Sequence, residues 1–145
     1  MVEAKVSWID GERFMGSASS GHAIVIDSDR KRNTAAGPME LVLIALCACT
    51  ATDIVSILRK KREPFEEVEV HAEAERAETP PAVYTKIKLI YTVAGPVSRK
   101  AVEDAVRLSE EKYCSVSAML KSSAQISTEV RLKDAAPGAV QRPTK

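Results

Sequence analysis

The sequence is poor in the residues that most often carry chemistry. It holds three cysteines, two histidines and one tryptophan, with aromatics at 4%. Neither His22 nor His71 has metal-ligand spacing around it, so no metal site is expected. The same two histidines offer no context for a general base, which leaves a thiol hydrolase or transferase without support. Three cysteines do not frame a disulfide scaffold; in a reducing cytosol any disulfide would be transient and chemical. A charge excess is also missing. Lysines and arginines number 21 against 20 acidic residues, for a net charge of +1, which argues against nucleic-acid binding by bulk electrostatics. The basic clusters at 30–32 and 59–62 read as a solvated loop and a helix end. MVEAKVSW lacks the basic and apolar regions of a signal peptide. The longest apolar run, residues 39–51, is broken by Asp53 and falls short of the roughly 18–20 residues of a membrane span. A cytoplasmic protein without membrane or nucleic-acid partners is expected.

What is present is an ordinary globular composition, 45% apolar and 28% charged, and a clear series of elements. Val2, Ala4, Val6 and Trp8 alternate with polar residues as a half-buried strand, Asp10-Gly11 marks a turn, and a returning strand begins at Arg13. AIVID at 23–27 is a third strand. After a polar loop, Pro38 opens a long helix to about residue 62, apolar nearly all round in its first half. Segments 68–77 and 84–93 alternate as an antiparallel pair. Ser98 caps a helix to about residue 112, Ser115 or Ser117 a short one after it, and 126–132 is a last strand. This order predicts an α+β fold with a mainly antiparallel sheet, as one domain over 1–132 and a flexible tail over 133–145. A helix apolar on several sides needs more cover than one small sheet supplies, which points to a homodimer.

Cys47 and Cys49 lie on that long helix. Residues two apart differ by about 200° around the axis, so the two sulfurs cannot share a metal or easily form a disulfide. Both can be small buried residues. Cys114 sits just before a helix start, where the dipole favours a thiolate; packing under a turn is the other reading.

Taken in order, VSWIDGERFMG, SGHAIVID, GPMELVLIALCACTATDIVSILRKKR and EKYCSVSAML resemble the osmotically inducible protein C (OsmC) and organic hydroperoxide resistance superfamily, in its uncharacterised OsmC-like branch. The most specific pieces are P-x-E-L-x-L-x-A-L-x-A-C-T and L-S-x-E-K-Y-C-S-V. The resemblance implies an interlocked homodimer around central helices, with active sites near the subunit interface. It also implies a thiol-dependent reduction of organic and inorganic hydroperoxides. Cys49 corresponds to the attacking cysteine and Cys114 to the one that resolves its sulfenic acid, with no cofactor beyond an external dithiol reductant. Cys47 falls where the family has a small residue. The Cys114 turn is then expected to pack on the Cys49 face of the helix. An assisting glutamate and arginine are also implied. The glutamate position, ten residues before the cysteine, is Met39; Glu40 lies about 180° from Cys49 around a regular helix, where it can equally serve the helix dipole. Arg30 and Arg13 are the arginine candidates. A reading of a different class is a non-catalytic dimeric module, binding a small apolar ligand or a protein between subunits, with the cysteines as packing or a redox sensor. Such a module would tolerate Cys49→Ser.

Overall fold

The computed structural model describes residues 1–134, in two compact units, 1–44 and 45 onward. In the first unit, β1 (Ala4–Asp10), β2 (Arg13–Ala18) and β3 (Ala23–Asp27) form an antiparallel meander. The first turn is the Asp10-Gly11 turn expected from the sequence, with Gly11 at φ 48°, a left-handed conformation that glycine adopts without strain. Trp8 stands opposite Phe14 and Phe14 opposite Ile26, which gathers the apolar alternation on one face. The alternation predicts the face but not its burial. Val6, Trp8 and Ile24 remain 58%, 69% and 51% exposed, because three strands and the first turns of a helix contain no second layer to cover them.

Asp27 anchors the polar loop to the end of β3. Its buried carboxylate accepts hydrogen bonds from the Thr34 hydroxyl, the Asp29 N–H at 2.9 Å and the Thr34 N–H at 3.0 Å. The Thr34 hydroxyl bond and then the Asp29 N–H hold its pKa down to about 2, against an ordinary 3.8. A depressed folded-state pKa stabilises fully above the ordinary value and is lost as pH falls towards 2. Asp27→Asn is therefore expected to lower the urea midpoint at about pH 6, with the gap to the parent narrowing between about pH 4 and pH 2. A gap that stays constant over that range would contradict the assignment.

α1 (Pro38–Lys60) contributes its first turns to the first unit and the remainder to the second. There follow β4 (Glu67–Arg76), β5 (Tyr84–Ala94), α2 (Arg99–Leu108), a π-helical turn (Ser109–Tyr113), α3 (Ser115–Leu120) and β6 (Gln125–Lys133). The second sheet has the order β4-β5-β6, with β4 antiparallel and β6 parallel to the central strand. Among the described residues three of the four strand pairings are antiparallel, so the mainly antiparallel α+β class holds. The parallel pair needs a long crossover, and α2, the π turn and α3 form it. The core joins Ile87, Leu89, Tyr91 and Val93 of β5 to Leu46, Ile54 and Leu58 of α1 and Val102 and Ala105 of α2.

Within one chain α1 buries a single stripe, Leu46, Thr50, Ile54, Ile57 and Leu58, and leaves Ile44 55% exposed, in keeping with a helix whose other apolar sides need further cover. One expectation needs correction. By length and composition α1 is also apolar enough to cross a bilayer; the run 39–51 alone understates this, because the helix continues past Asp53. The stripe packed within the unit is what an amphipathic helix lays on a core. Ser98 does cap α2, accepting from the Ala101 N–H at 3.3 Å. The tail expected over 133–145 lies outside the described residues from position 135, and Lys133 itself ends β6.

Candidate active site: a cysteine pair on α1 and the crossover

Cys114 ends the π turn and is itself the N-cap of α3, the role expected of Ser115 or Ser117. Its Sγ accepts the Ser117 N–H at 3.3 Å, and its own N–H donates to the Ser109 carbonyl at 2.9 Å. It is buried, and Cys49, half-buried on α1, is near enough to act on its thiol. The expected packing of the Cys114 turn against the Cys49 face is thus present. The expected thiolate at Cys114 is not. Burial pushes this thiol up to about 11; the Ser117 N–H pulls the other way, but the hydrogen bond and charge of Cys49, then the Asp53 carboxylate, add to the rise. Desolvation outweighs the one N–H that a short helix offers.

One turn along α1 from Cys49 stands Asp53, half-buried, which accepts a 2.8 Å hydrogen bond from the hydroxyl of the fully buried Ser109. On the other flank, the Thr50 hydroxyl donates to the carbonyls of Leu46 and Cys47, at 3.2 and 3.1 Å, and faces the Tyr91 phenol of β5. Burial holds that phenol above its ordinary range. Burial also raises the Cys47 thiol, which keeps it protonated and poorly nucleophilic. The two cysteines of α1 therefore flank the core stripe on opposite sides, as helical spacing requires.

Arg30, Glu40 and Arg13 belong to the first unit. Arg30 and Glu40 form an ion pair, and the Glu40 carboxylate also accepts the Gly37 N–H at 3.2 Å. The hydrogen bonds from Arg30, first, and Gly37 lower the Glu40 pKa. A Cβ on Gly37 would overlap the Arg30 guanidinium, so the glycine before Pro38 is the sequence signal for this contact. Arg13 instead pairs with Asp10 at 3.1 Å and reaches the Thr34 hydroxyl at 3.5 Å. Met39 is half-buried in the first turn of α1.

Among the described residues no group of three or more His, Cys, Asp or Glu side chains gathers as a metal site. An open groove of about 600 Å³ runs beside Ala51, Thr52, Val55, Ser56, Arg59 and Lys60, on the α1 face turned away from the core stripe.

The chain is similar to known proteins over most of its length. A family model described as OsmC-like protein matches residues 31–129. Protein YhfA of Escherichia coli strain K12 is 42% identical over 126 residues, covering 86% of this chain and 93% of its own length. The crystal structure of a hypothetical protein from Aquifex aeolicus superposes with a TM-score of 0.84 at 32% identity, over 94% of this chain and 98% of that one. An organic hydroperoxide resistance protein, OsmC, from Legionella pneumophila shares the fold with a TM-score of 0.68 at 18% identity, over 90% and 96% of the two chains.

Proposed function

From the premise that the chain belongs to the OsmC-like protein family, we propose that it is a thiol-dependent peroxidase acting on organic and inorganic hydroperoxides. The observation that carries this reading is the approach of the Cys114 crossover to the Cys49 strip of α1, where Ser109 bonds Asp53 one turn on from Cys49. The Cys49 thiolate attacks one peroxide oxygen and the O–O bond breaks. The departing alkoxide takes a proton and leaves as alcohol, or as water from hydrogen peroxide, and Cys49 becomes a sulfenic acid. The Cys114 sulfur then attacks the Cys49 sulfur, giving up its proton and expelling the hydroxyl as water. An external dithiol reduces the disulfide, so no bound cofactor is required. Arg30 with Glu40 and Arg13 with Asp10 form ion pairs inside the first unit.

A second copy of the chain is part of the proposal. The bare apolar face of β1–β3 and the groove on the outer side of α1 are the surfaces an interlocked partner would cover. The cytoplasm is the compartment in which a reversible disulfide of this kind can turn over.

The test is a titration of the reduced protein with cumene hydroperoxide or hydrogen peroxide, mapped by mass spectrometry. A Cys49–Cys114 disulfide at near-stoichiometric peroxide is the expected product, with Cys47 left as a thiol. Thiols that survive excess peroxide unchanged would overturn the reading in favour of a binding module.

A further inference from the structure

We infer that Asp53 and Ser109 form a positioning pair that holds Cys114 against Cys49 and sets how readily their disulfide closes. This rests on the proposed function only for its biological use; the positioning itself is a property of the two thiols.

Asp53 stands four residues after Cys49, on the same strip of α1. A carboxylate half-buried beside an apolar core needs a partner, and Ser109 supplies one through its hydroxyl at 2.8 Å. Ser109 is fully buried, and it is also the residue whose carbonyl accepts the Cys114 N–H at 2.9 Å. One residue therefore grips the helix with its side chain and Cys114 with its backbone. The path from Cys49 runs along one turn of α1, across Asp53 to Ser109, and back through Cys114 to the Cys49 sulfur.

The π turn is what makes this geometry possible. A regular helix would pair the Cys114 N–H with the carbonyl of Glu110, four residues back. The observed partner is five residues back. The extra residue in the turn rotates Cys114 by about 100° relative to an uninterrupted helix. A π turn is unfavourable by itself and is commonly found at functional sites; here the Asp53 carboxylate, by fixing Ser109, stabilises the start of it. At the other end the Ser117 N–H holds the Cys114 sulfur.

The test uses the full chain in glutathione redox buffers, with no peroxide. Cys49 and Cys114 together lose two electrons and two protons, and one glutathione disulfide becomes two glutathiones. Quenching, alkylation and mass spectrometry then give the equilibrium constant for the Cys49–Cys114 disulfide. Ser109→Ala and Asp53→Ala are each expected to lower that constant about tenfold, as fits the loss of a hydrogen bond to a charged group. Asp53→Asn still offers an oxygen to the Ser109 hydroxyl and is expected to stay within about threefold of the parent. Thermal unfolding identifies the folded variants, and Asp53, being only half-buried, keeps the test open if Ser109→Ala fails to fold. Parent-like constants in the alanine variants would overturn the positioning role, as would an Asp53→Asn variant as impaired as Asp53→Ala. A parent protein inert to hydroperoxide but normal in glutathione would overturn only the proposed function.

Discussion

Cys49→Ser is expected to reduce hydroperoxide consumption to the uncatalysed level, whereas Cys114→Ala keeps a first turnover and loses the rest. A serine hydroxyl at position 49 cannot be oxidised to a sulfenic acid, so no later step can occur. Removing Cys114 leaves the attacking sulfur in place but strands its sulfenic acid, which further peroxide carries to sulfinic acid. Residual-peroxide assays with excess cumene hydroperoxide and no dithiol separate the two variants: no consumption for the first, and about two equivalents for the second, one to reach the sulfenic and one the sulfinic acid. Both substitutions replace small side chains. The folded state is expected to survive, with Cys49→Ser costing about 1 kcal/mol or less at its half-buried position. Parent-like consumption by Cys49→Ser would sink the peroxidase reading.

Leu89→Ala should be strongly destabilising, costing about 2–5 kcal/mol. Leu89 is fully buried at the middle of the central strand, opposite Ala72 of β4 and Thr128 of β6. Truncation removes its packing atoms and leaves a cavity that a strand paired on both edges cannot shift to fill. Domains of this size have a total stability of about 5–15 kcal/mol, so the loss is a large fraction of the whole. Thr85→Ala, on the exposed part of the same strand, is the control and should fall within about 0.5 kcal/mol of the parent. Equilibrium urea unfolding measures both; equal midpoints for the two variants would mean that β5 is not the core strand its burial indicates.

Much of this architecture is legible in the amino-acid order, because its signals are local. Pro38, the alternation in 84–93 and the cap at Ser98 each mark an element within about two residues of where it lies. What local signals cannot supply is partnership. The alternation of β6 marks a strand but says nothing of its parallel pairing with β5, and the apolar face of β1–β3 is the same whether covered or bare. The π turn is invisible for a related reason. A helical pattern running to residue 112 looks alike in either hydrogen-bond register, and only the Ser109 carbonyl reveals the change. At the site, resemblance pairs Cys49 with Cys114, and the geometry brings them together. It does not bring a regular thiolate to Cys114, since a sequence displays the N-terminus of a helix and not the desolvation around it. Asp53 is recognisable as a group in need of a partner: a carboxylate interrupting an apolar helix one turn after the cysteine. Its answer, Ser109, is 56 residues away.

That distance bears on the order in which the molecule is assembled. Closing so long a loop carries an entropic cost that grows only with the logarithm of its length, but the cost falls due before its contacts are made. Long-range and parallel pairings are accordingly late events in folding. The crossover that carries Cys114 is anchored at both ends only once β6 has paired alongside β5. Until then the two thiols belong to a flexible chain and meet no more often than chance allows. Their reactivity as a pair is thus conferred by completed folding, and a nascent or unfolded chain meets oxidant as three independent cysteines.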